Sequence, residues 1–393
     1  MVKINQTHNK NQGRQNYKDI LNKDSLVSHS TKNYISPHTF YPWKTRLGLL
    51  ARVSKRMSQE GYRTRILIIG GGGVGSILGW RLQAGGAHVS MACRSNYKAI
   101  KETGFIITPG VSEPVTFHPD EVLTCAKGAS TNNIVFDYVF VCTKCLPNIS
   151  DPSDAILPYI SSNKTVIILV QNGVGIEEPV KNKLPLNTLV SSVINVSASQ
   201  TENGVITYAG RINLKFGFYV QEGQDLDEYN KQNRHTLQKI HKLLVAGDIG
   251  STIFENIQPV RWSKVIWNGT FSPVSVLAGA IDKKSVVTLP ETRDLLINAM
   301  NELCAIAEAV TNEKVTAISG YSSIEGAIEN AKNGKVTYYS SMVLDFVNKR
   351  PMEHEVILRN PIIQAKKYGL ETPILETLYA LLTCTERSYM SSN

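Results

Sequence analysis

Three glycines at fixed spacing are the first residues of this chain that could do chemistry. Gly70, Gly72 and Gly75 form the pattern G-x-G-x-x-G within ILIIGGGGVGS, directly after an aliphatic run. In such a loop the first glycine allows a tight turn, the second lets backbone approach a pyrophosphate, and the third lets a helix pack closely on a strand. The helix amino terminus then offers free N–H groups to an anion. The pattern predicts a dinucleotide site in which Gly71 and Gly73 need not be glycine, with a plain glycine-rich turn as the alternative.

The residue that would choose between the two nicotinamide cofactors follows the second aliphatic run. A site for NAD usually places an Asp or Glu about 20 residues past the first glycine, for the ribose hydroxyls. Here no acidic residue lies between Val89 and Lys98, and Arg94 stands in that stretch. A guanidinium binds a 2′-phosphate through charge-assisted hydrogen bonds. We therefore expect NADPH, with a solvated Arg94 of no special role as the alternative.

A lysine and an asparagine share a helix face in the second half of the chain. Lys264 and Asn268 are four residues apart in RWSKVIWN, and residues so spaced lie on one face. Reduction of a ketone needs a proton donor at the oxygen, and a lysine desolvated in a cleft can be tuned for that task. Glu353 in PMEHE and Asn172 in QNG are further polar candidates. Solvated side chains and turn residues would give the same local patterns.

The elements that must position these residues alternate between strands and helices in the first part of the chain. Aliphatic runs of four to six residues recur there, each ending in polar or glycine residues. Such runs are typical of parallel strands covered on both faces. The runs are RILIIG, AHVSMACR, DYVFVCT and KTVIILVQNG, with the helical VGSILGWRLQAGG after the first. The alternating stretch GVITYAGRINLKFGFYV predicts an antiparallel hairpin with a turn at Gly210.

The second part of the chain has helical spacing. After the short strand STIFENI, apolar residues recur at helical intervals in segments such as PETRDLLINAMNELCAIAEAV and ILETLYALLTCTERS. We therefore expect an α/β protein whose N-terminal Rossmann-type NADP-binding domain, residues 63–255, precedes an all-α C-terminal domain, residues 256–393. The second domain would carry the substrate and catalytic residues.

Most of the positive charge lies in the first 62 residues. The 393-residue chain has a net charge of +9, and residues 1–62 hold 11 Lys and Arg against 3 Asp and Glu, which is +8. The remainder shows no patterned basic surface, so nucleic acid is not an expected partner. Residues 1–62 are poor in aliphatics and are predicted to be a disordered tail. The expected location is cytoplasmic. The basic stretch KTRLGLLARVSKRM leaves a mitochondrial presequence as the alternative, and Met57 would make a natural amino terminus.

The sequence argues against a membrane span, a disulfide framework and a metal site. No apolar run approaches the ~20 residues of a membrane span, so no membrane partner is expected. Six cysteines are too irregularly spaced for a disulfide framework, which favours a reducing compartment. The pattern CTKC (142–145) has no second pair or histidine cluster beside it, so no metal site is predicted. Cys142 is expected to be a small core residue.

Six motifs, in order, resemble one family. They are IIGGGGVGS, VCTK, LVQNGVG, RWSKVIWN, SSMVLDF and RPMEHEV. In this order and spacing they resemble the ketopantoate reductases (2-dehydropantoate 2-reductases), over about residues 65–385. The resemblance implies an NADP-binding Rossmann domain and a helical domain, with the active site in the cleft between them. It also implies reduction of the ketone of 2-dehydropantoate to (R)-pantoate, a step in pantothenate synthesis.

The resemblance implies roles for particular residues. The family's catalytic lysine falls on Lys264, and its substrate-binding glutamate, the second catalytic candidate, falls on Glu353. The cofactor-side lysine after the fourth strand falls on Lys144, and the asparagine beside the nicotinamide falls on Asn172. Substrate-contacting positions fall on Asn268 and Ser341.

Two departures from the family pattern lie on the substrate side. Where the family usually has Asn-Pro, this chain has Ser272-Pro273, and AIDKKS stands where an Asn-Gly usually follows. A related reductase of another 2-oxo acid, with Ser272 contacting the substrate, is therefore one alternative. A non-catalytic NADP-binding sensor is the other, although it would not need Lys264 and Glu353. The oligomeric state is open, and a homodimer is one possible partner arrangement.

Overall fold

The computed structural model describes residues 63–124, 134–315, 320–334 and 338–390. The predicted disordered tail, the presequence alternative and Met57 lie outside these residues.

A ten-stranded, mainly parallel sheet forms the N-terminal part of the described chain. The strands are β1 Arg65–Ile69, β2 His88–Cys93, β3 Phe105–Pro109, β4 Val115–Phe117, β5 Glu121–Thr124, β6 Tyr138–Val141, β7 Val166–Leu169, β8 Leu189–Glu202, β9 Val205–Tyr219 and β10 Gly250–Ile253. Their order in the sheet is β4-β3-β9-β8-β7-β6-β1-β2-β5, and β10 pairs with β9. The β8–β9 and β3–β4 pairs are antiparallel.

Helices cover the sheet and form the C-terminal region. The first four are α1 Gly73–Ala84, α2 Tyr97–Thr103, α3 Glu178–Lys183 and α4 Leu226–Ala246. Two short 3₁₀ turns are Pro152–Ala155 and Leu157–Tyr159. The C-terminal helices are α5 Gln258–Leu277, α6 Lys283–Thr288, α7 Pro290–Thr311, α8 Ile324–Asn333, α9 Ser341–Val347, the π-helix Glu355–Arg359, α10 Asn360–Lys367 and α11 Pro373–Met390.

The aliphatic run of β1 explains how the two parts are joined. Side chains of a strand point alternately to opposite faces. Ile66 and Ile68 belong to the core that includes Leu78 of α1, on one face of the sheet. Leu67 and Ile69 belong to the core that continues into the C-terminal helices. The helical region is thus packed on one face of the sheet, and the predicted fold class, a Rossmann-type part followed by a helical part, is confirmed.

The predicted hairpin around Gly210 is wrong. Residues 205–219 form a single strand, β9, and its antiparallel partner is the preceding strand β8. Gly210 has a φ of 82° and lies where the register between the two strands shifts. A glycine at a register irregularity gives the same sequence signal as a glycine in a turn.

Within the described residues, no helix is both long enough and apolar enough to cross a membrane.

Candidate active site

The glycine loop lies at the carboxyl end of β1. Gly70 has a φ of 108°, and its N–H donates to the carbonyl of Ala92 at 3.0 Å. A Cβ on Gly75 would lie 2.0 Å from the Gly70 oxygen, so only glycine lets α1 begin this close to the strand. A Cβ on Gly72 would meet nothing within 4 Å. The loop therefore presents open space at its second glycine, which is where a pyrophosphate would approach the backbone.

The prediction that Gly71 need not be glycine is wrong. A Cβ there would lie 2.8 Å from the Cys93 sulfur and 3.0 Å from Nδ2 of Asn96. That Nδ2 donates to the Gly71 carbonyl at 2.7 Å, and Asn96 is buried. Asn96 was not singled out in the sequence, although an asparagine just after a strand is a common loop-fixing residue. It ties the end of β2 to the glycine loop. Gly73 is also tightly enclosed, since its Cβ would lie 3.2 Å from that of Ala198.

Arg94 follows β2 directly and is exposed. Its guanidinium makes no hydrogen bond or ion pair with another residue in the described part of the chain. It lies two residues before Asn96, whose side chain contacts the glycine loop. Arg94 is therefore near the loop with its donors available to a ligand.

Helix α1 begins at Gly73 in a way that suits an anion. No side chain caps its amino terminus, and its first turn carries no acidic residue. The first N–H groups of a helix have no partner within the helix, and the helix dipole places partial positive charge there. The residues present thus fit the pyrophosphate of a dinucleotide.

Three polar side chains far apart in sequence form one connected chain of hydrogen bonds. The Nζ of Lys264, on α5, donates to Oδ1 of Asn172 at 2.9 Å. The Nδ2 of Asn172 donates to Oε2 of Glu353 at 3.1 Å, and the backbone N–H of Cys145 donates to Oε1 at 3.1 Å. Asn172 follows β7 and Cys145 follows β6, so these loops lie at the same carboxyl edge of the parallel sheet as the glycine loop.

Lys264 is electrostatically prepared for proton transfer. Its pKa is lowered to about 8, chiefly by burial and next by the Arg261 cation, while the Glu353 carboxylate opposes the shift. A second donor of the ammonium goes to the carbonyl of Ile194 at 2.7 Å. An ammonium has three donors, so these two contacts leave one for a ligand.

Arg261 fixes the loop that carries Asn172. It is fully buried one turn before Lys264, and its Nη1 donates to the carbonyls of Gln171 at 3.0 Å and Gly173 at 2.8 Å. Its Nε lies 3.0 Å from Oε1 of the buried Glu177. Sequence reasoning missed this residue, although the R-x-x-K spacing places Arg261 and Lys264 on neighbouring positions of one helix face.

The turn after Asn172 docks against the C-terminal region. Gly173 has a φ of 90°, and a Cβ there would lie 2.5 Å from the side chain of Val356. The next residue, Val174, donates its N–H to the Val356 carbonyl at 3.0 Å. Val356 belongs to the π-helix that begins two residues after Glu353. π-Helical turns are rare and are frequent at functional sites, and this one fixes Asn172 and Glu353 relative to each other.

Lys144 bridges the two parts of the molecule. Its Nζ lies 2.5 Å from Oδ1 of Asp345 on α9 and donates to the carbonyl of Pro351 at 3.3 Å. Arg350 also pairs with Asp345, at 3.3 Å. Burial raises the pKa of the Asp345 carboxyl, and the Lys144 and Arg350 cations oppose this. Lys144, one residue before Cys145, therefore joins the loop after β6 to α9 and to the segment that follows it.

The three substrate candidates differ in their surroundings. Asn268 is partly buried and lines a small cleft together with Lys264 and Asn172. Ser272 is buried one turn further along α5. Ser341 is exposed at the first position of α9, and the helix is capped by Ser340, whose Oγ accepts from the Val343 N–H at 3.3 Å. In the described structure, Lys264, Asn172, Glu353 and Asn268 are brought together, whereas Ser341 makes no hydrogen bond to them.

Together these features define a class of protein. A glycine loop joins a buried strand to an uncapped helix, and a lysine with a lowered pKa lies at the same sheet edge. The protein is an NAD(P)-dependent oxidoreductase. More particularly, it belongs to the ketopantoate reductase family. The family model described as ketopantoate reductase PanE/ApbA matches residues 66–221, and the model of its C-terminal part matches residues 256–386.

Individual relatives agree with this membership. The 2-dehydropantoate 2-reductase of Nostoc sp. is 25% identical over 317 residues, covering 79% of this chain and 92% of that protein. The meiotically up-regulated gene 72 protein of Schizosaccharomyces pombe is 25% identical and is matched over 83% of this chain but only 57% of its own length. The crystal structure of 2-dehydropantoate 2-reductase from Methylococcus capsulatus superposes with a TM-score of 0.68 at 27% identity, covering 82% of this chain and 97% of that one.

Proposed function

We propose that this protein reduces the ketone of a 2-oxo acid to the 2-hydroxy acid with NADPH. The first candidate reaction is the conversion of 2-dehydropantoate to (R)-pantoate in pantothenate synthesis. The observation that carries the proposal is the hydrogen-bonded chain from Lys264 through Asn172 to Glu353, at 2.9 and 3.1 Å. These hydrogen bonds connect Lys264, the proton donor, to the buried carboxylate of Glu353. The loop that carries Asn172 lies at the same carboxyl edge of the sheet as the glycine loop.

The cofactor would be held by the N-terminal part. Gly70, Gly72 and Gly75, with the amino terminus of α1, would receive the pyrophosphate. Arg94 would receive the 2′-phosphate, because no acidic residue between positions 89 and 98 would repel it. When bound, the nicotinamide supplies a hydride to the ketone carbon.

Lys264 would donate the proton. Two of its donors are held by Asn172 and Ile194, which fixes the ammonium and directs the third donor. That donor would move its proton from Nζ to the ketone oxygen as negative charge develops there. A pKa of about 8 places the ammonium near the optimum for a general acid at neutral pH.

Glu353 and Asn172 would orient the substrate and the lysine. Each carboxylate oxygen of Glu353 accepts one hydrogen bond from the protein, and a carboxylate oxygen can accept a second. Glu353 can therefore accept from a substrate hydroxyl without losing its position. Asn268 and Ser341 would contact the rest of the substrate, as the family resemblance implies.

A different 2-oxo acid is the second candidate substrate. Ser272 and the segment AIDKKS replace the asparagines usual in the family, and both changes lie on the substrate side. These changes would alter which substrate side chain fits the site, whereas Lys264, Asn172 and Glu353 are retained. The sensor alternative is disfavoured because a protein that only binds NADP has no use for a lysine with a lowered pKa.

The proposal is tested by following NADPH oxidation with 2-dehydropantoate and with a panel of other 2-oxo acids. Turnover of at least one 2-oxo acid, lost in Lys264→Ala, supports it. Cofactor binding without turnover of any 2-oxo acid contradicts it and favours the sensor.

A further inference from the structure

A buried glutamate continues the apolar face of the last helix, α11. Leu375, Leu378 and Leu382 of this helix are buried in the core of the C-terminal region. Glu386 follows Leu382 by four residues, on the same helix face, and is only 7% exposed. A carboxylate is costly to bury unless it accepts hydrogen bonds, so the partners of Glu386 indicate why it occupies this position.

The partners of Glu386 are the two residues that flank Glu353 in the chain. The backbone N–H of Met352 donates to Oε1 of Glu386 at 2.6 Å, across 34 positions of the chain. Oε2 of Glu386 lies 3.8 Å from Nε2 of His354. The Nδ1 of His354 donates to the Met352 carbonyl at 3.1 Å, since a carbonyl oxygen can only accept. Both chain neighbours of Glu353 therefore lie against one carboxylate of α11.

Two tyrosines of α11 hold the chain further out on either side of Glu353. The hydroxyl of Tyr389 donates to the Arg350 carbonyl at 2.9 Å. The hydroxyl of Tyr379 donates to Oε1 of Glu355 at 2.7 Å. The backbone that carries Glu353 is thus fixed from α11, with Glu386 bonded closest to it.

The Glu353 carboxylate itself contacts the loops at the sheet edge. Its two oxygens accept from the Cys145 N–H and from Nδ2 of Asn172, both at 3.1 Å. This distance is near the long end of the usual N–H···O range of about 2.7–3.2 Å. A shift of the backbone by about 1 Å would therefore break one or both hydrogen bonds, and misplacements of this size are costly in active sites.

We propose that Glu386 is a positioning residue that acts through Glu353. By holding the Met352 N–H, it sets the backbone from which the Glu353 carboxylate reaches Cys145 and Asn172, and hence where that carboxylate meets the substrate. The inference rests on the substrate-binding role given to Glu353 in the reductase proposed above. Because the contact needs an acceptor at Met352, an uncharged acceptor of the same shape should replace the carboxylate.

The variants separate the lost acceptor from lost charge and from lost stability. Glu386→Leu removes the acceptor, whereas Glu386→Gln keeps an oxygen for the Met352 N–H. Leu382→Ala leaves a cavity one turn earlier on α11 and reports a general loosening of this helix. Glu376→Leu, at an exposed position of α11, is the surface control. If Glu386→Leu does not fold, Glu386→Asp replaces it, because the side chain shorter by one methylene withdraws the acceptor from Met352.

Steady-state kinetics with the best 2-oxo acid is the first readout. Glu386→Leu should raise the KM for the acid by about tenfold or more, with a smaller change in kcat. The KM for NADPH should not change, because the glycine loop lies elsewhere. Glu386→Gln, Leu382→Ala and Glu376→Leu should stay within about threefold of wild type. In a Glu353→Gln background, Glu386→Leu should have little further effect on KM, since the two residues act in series.

Amide hydrogen exchange at Cys145 is the second readout and does not depend on turnover. The Cys145 N–H is bonded by Oε1 of Glu353, whereas Glu386 bonds Met352. Displacement of Glu353 should therefore speed exchange at Cys145 in Glu386→Leu, with Glu386→Gln and Leu382→Ala exchanging as slowly as wild type.

The inference is supported if both readouts change in Glu386→Leu and are restored in Glu386→Gln. It is overturned if either readout is unchanged in Glu386→Leu, if Glu386→Gln behaves like Glu386→Leu, or if Leu382→Ala has the same effect. If the wild type turns over no 2-oxo acid, the reductase proposal fails and exchange alone decides. Faster exchange at Cys145 in Glu386→Leu alone would then still show that Glu386 positions Glu353, and unchanged exchange would overturn the inference as well.

Discussion

The Nζ of Lys264 donates to Oδ1 of Asn172 across 92 positions of the chain, at 2.9 Å. This single contact joins helix α5 to the loop after β7, and the other end of the same amide holds Glu353. The amide therefore fixes the distance between the lysine and the carboxylate. Four consequences for variants and for pH follow from this arrangement and from the cofactor loop beside it.

Asn172→Ala should lower turnover by about 10- to 100-fold while the protein stays folded. The change leaves the Lys264 ammonium with one protein acceptor, so its third donor is no longer directed. Steady-state kinetics with the best 2-oxo acid measures the loss. Asn182→Ala, at an exposed position on α3, is the control and should keep wild-type kinetics. Equal kinetics for Asn172→Ala and the control would show that the amide does not position the lysine.

Reduction should depend on pH through Lys264. The ammonium is the donor, so kcat/KM should be constant well below its pKa and fall about tenfold per pH unit above it. With a pKa of about 8, the break is expected near pH 8. Removing the neighbouring cation in Arg261→Met should move the break to higher pH. Removing the carboxylate charge in Glu353→Gln should move it to lower pH. If the wild type and both variants show the break at the same pH, the group that titrates is not Lys264.

Arg261→Met should destabilise the protein by about 3–5 kcal/mol, because Glu177 is left buried without its partner. Urea unfolding measures the free energy. The double variant Arg261→Met/Glu177→Met should be less destabilised than the single one, since no unpaired charge remains. Arg293→Met breaks an exposed pair with Asp294 and should change stability by less than about 1 kcal/mol. If Arg261→Met is as stable as Arg293→Met, the buried pair of Arg261 and Glu177 does not support the loop.

Arg94→Ala should raise the KM for NADPH by about tenfold or more and leave that for NADH nearly unchanged. The reason is that only NADPH carries the 2′-phosphate. Kinetics with both cofactors at saturating 2-oxo acid measures the difference. Equal weakening of the two cofactors would show that Arg94 does not contact this phosphate.

Local patterns in the sequence predicted the elements that carry the site. The glycine spacing gave the strand, loop and helix around Gly70 and Gly75 because their constraints are local ones, a positive φ and a close approach. The i, i+4 spacing placed Lys264 and Asn268 on one face of a helix, and both line the same cleft. Gly210 misled because a glycine in a turn and one at a register shift have the same local signature.

Long-range contacts could not be read from the sequence. Nothing local indicates that Arg261 reaches the carbonyls around Asn172, or that Lys144 pairs with Asp345. These pairs form because α5 and α9 lie against the loops that follow β7 and β6. The requirement for glycine at position 71 arises in the same way, from the packing of Cys93 and Asn96.

The most direct test of the proposed mechanism compares Lys264→Ala with the wild type in two measurements. Turnover is measured by NADPH oxidation, and the dissociation constant for NADPH is measured separately. If Lys264 protonates the developing alkoxide, its contribution is made in the transition state, so turnover should fall by about 10²- to 10⁴-fold. NADPH binding should change far less, because the glycine loop and Arg94 lie on the N-terminal part. Near-normal turnover in Lys264→Ala would contradict the proposed mechanism.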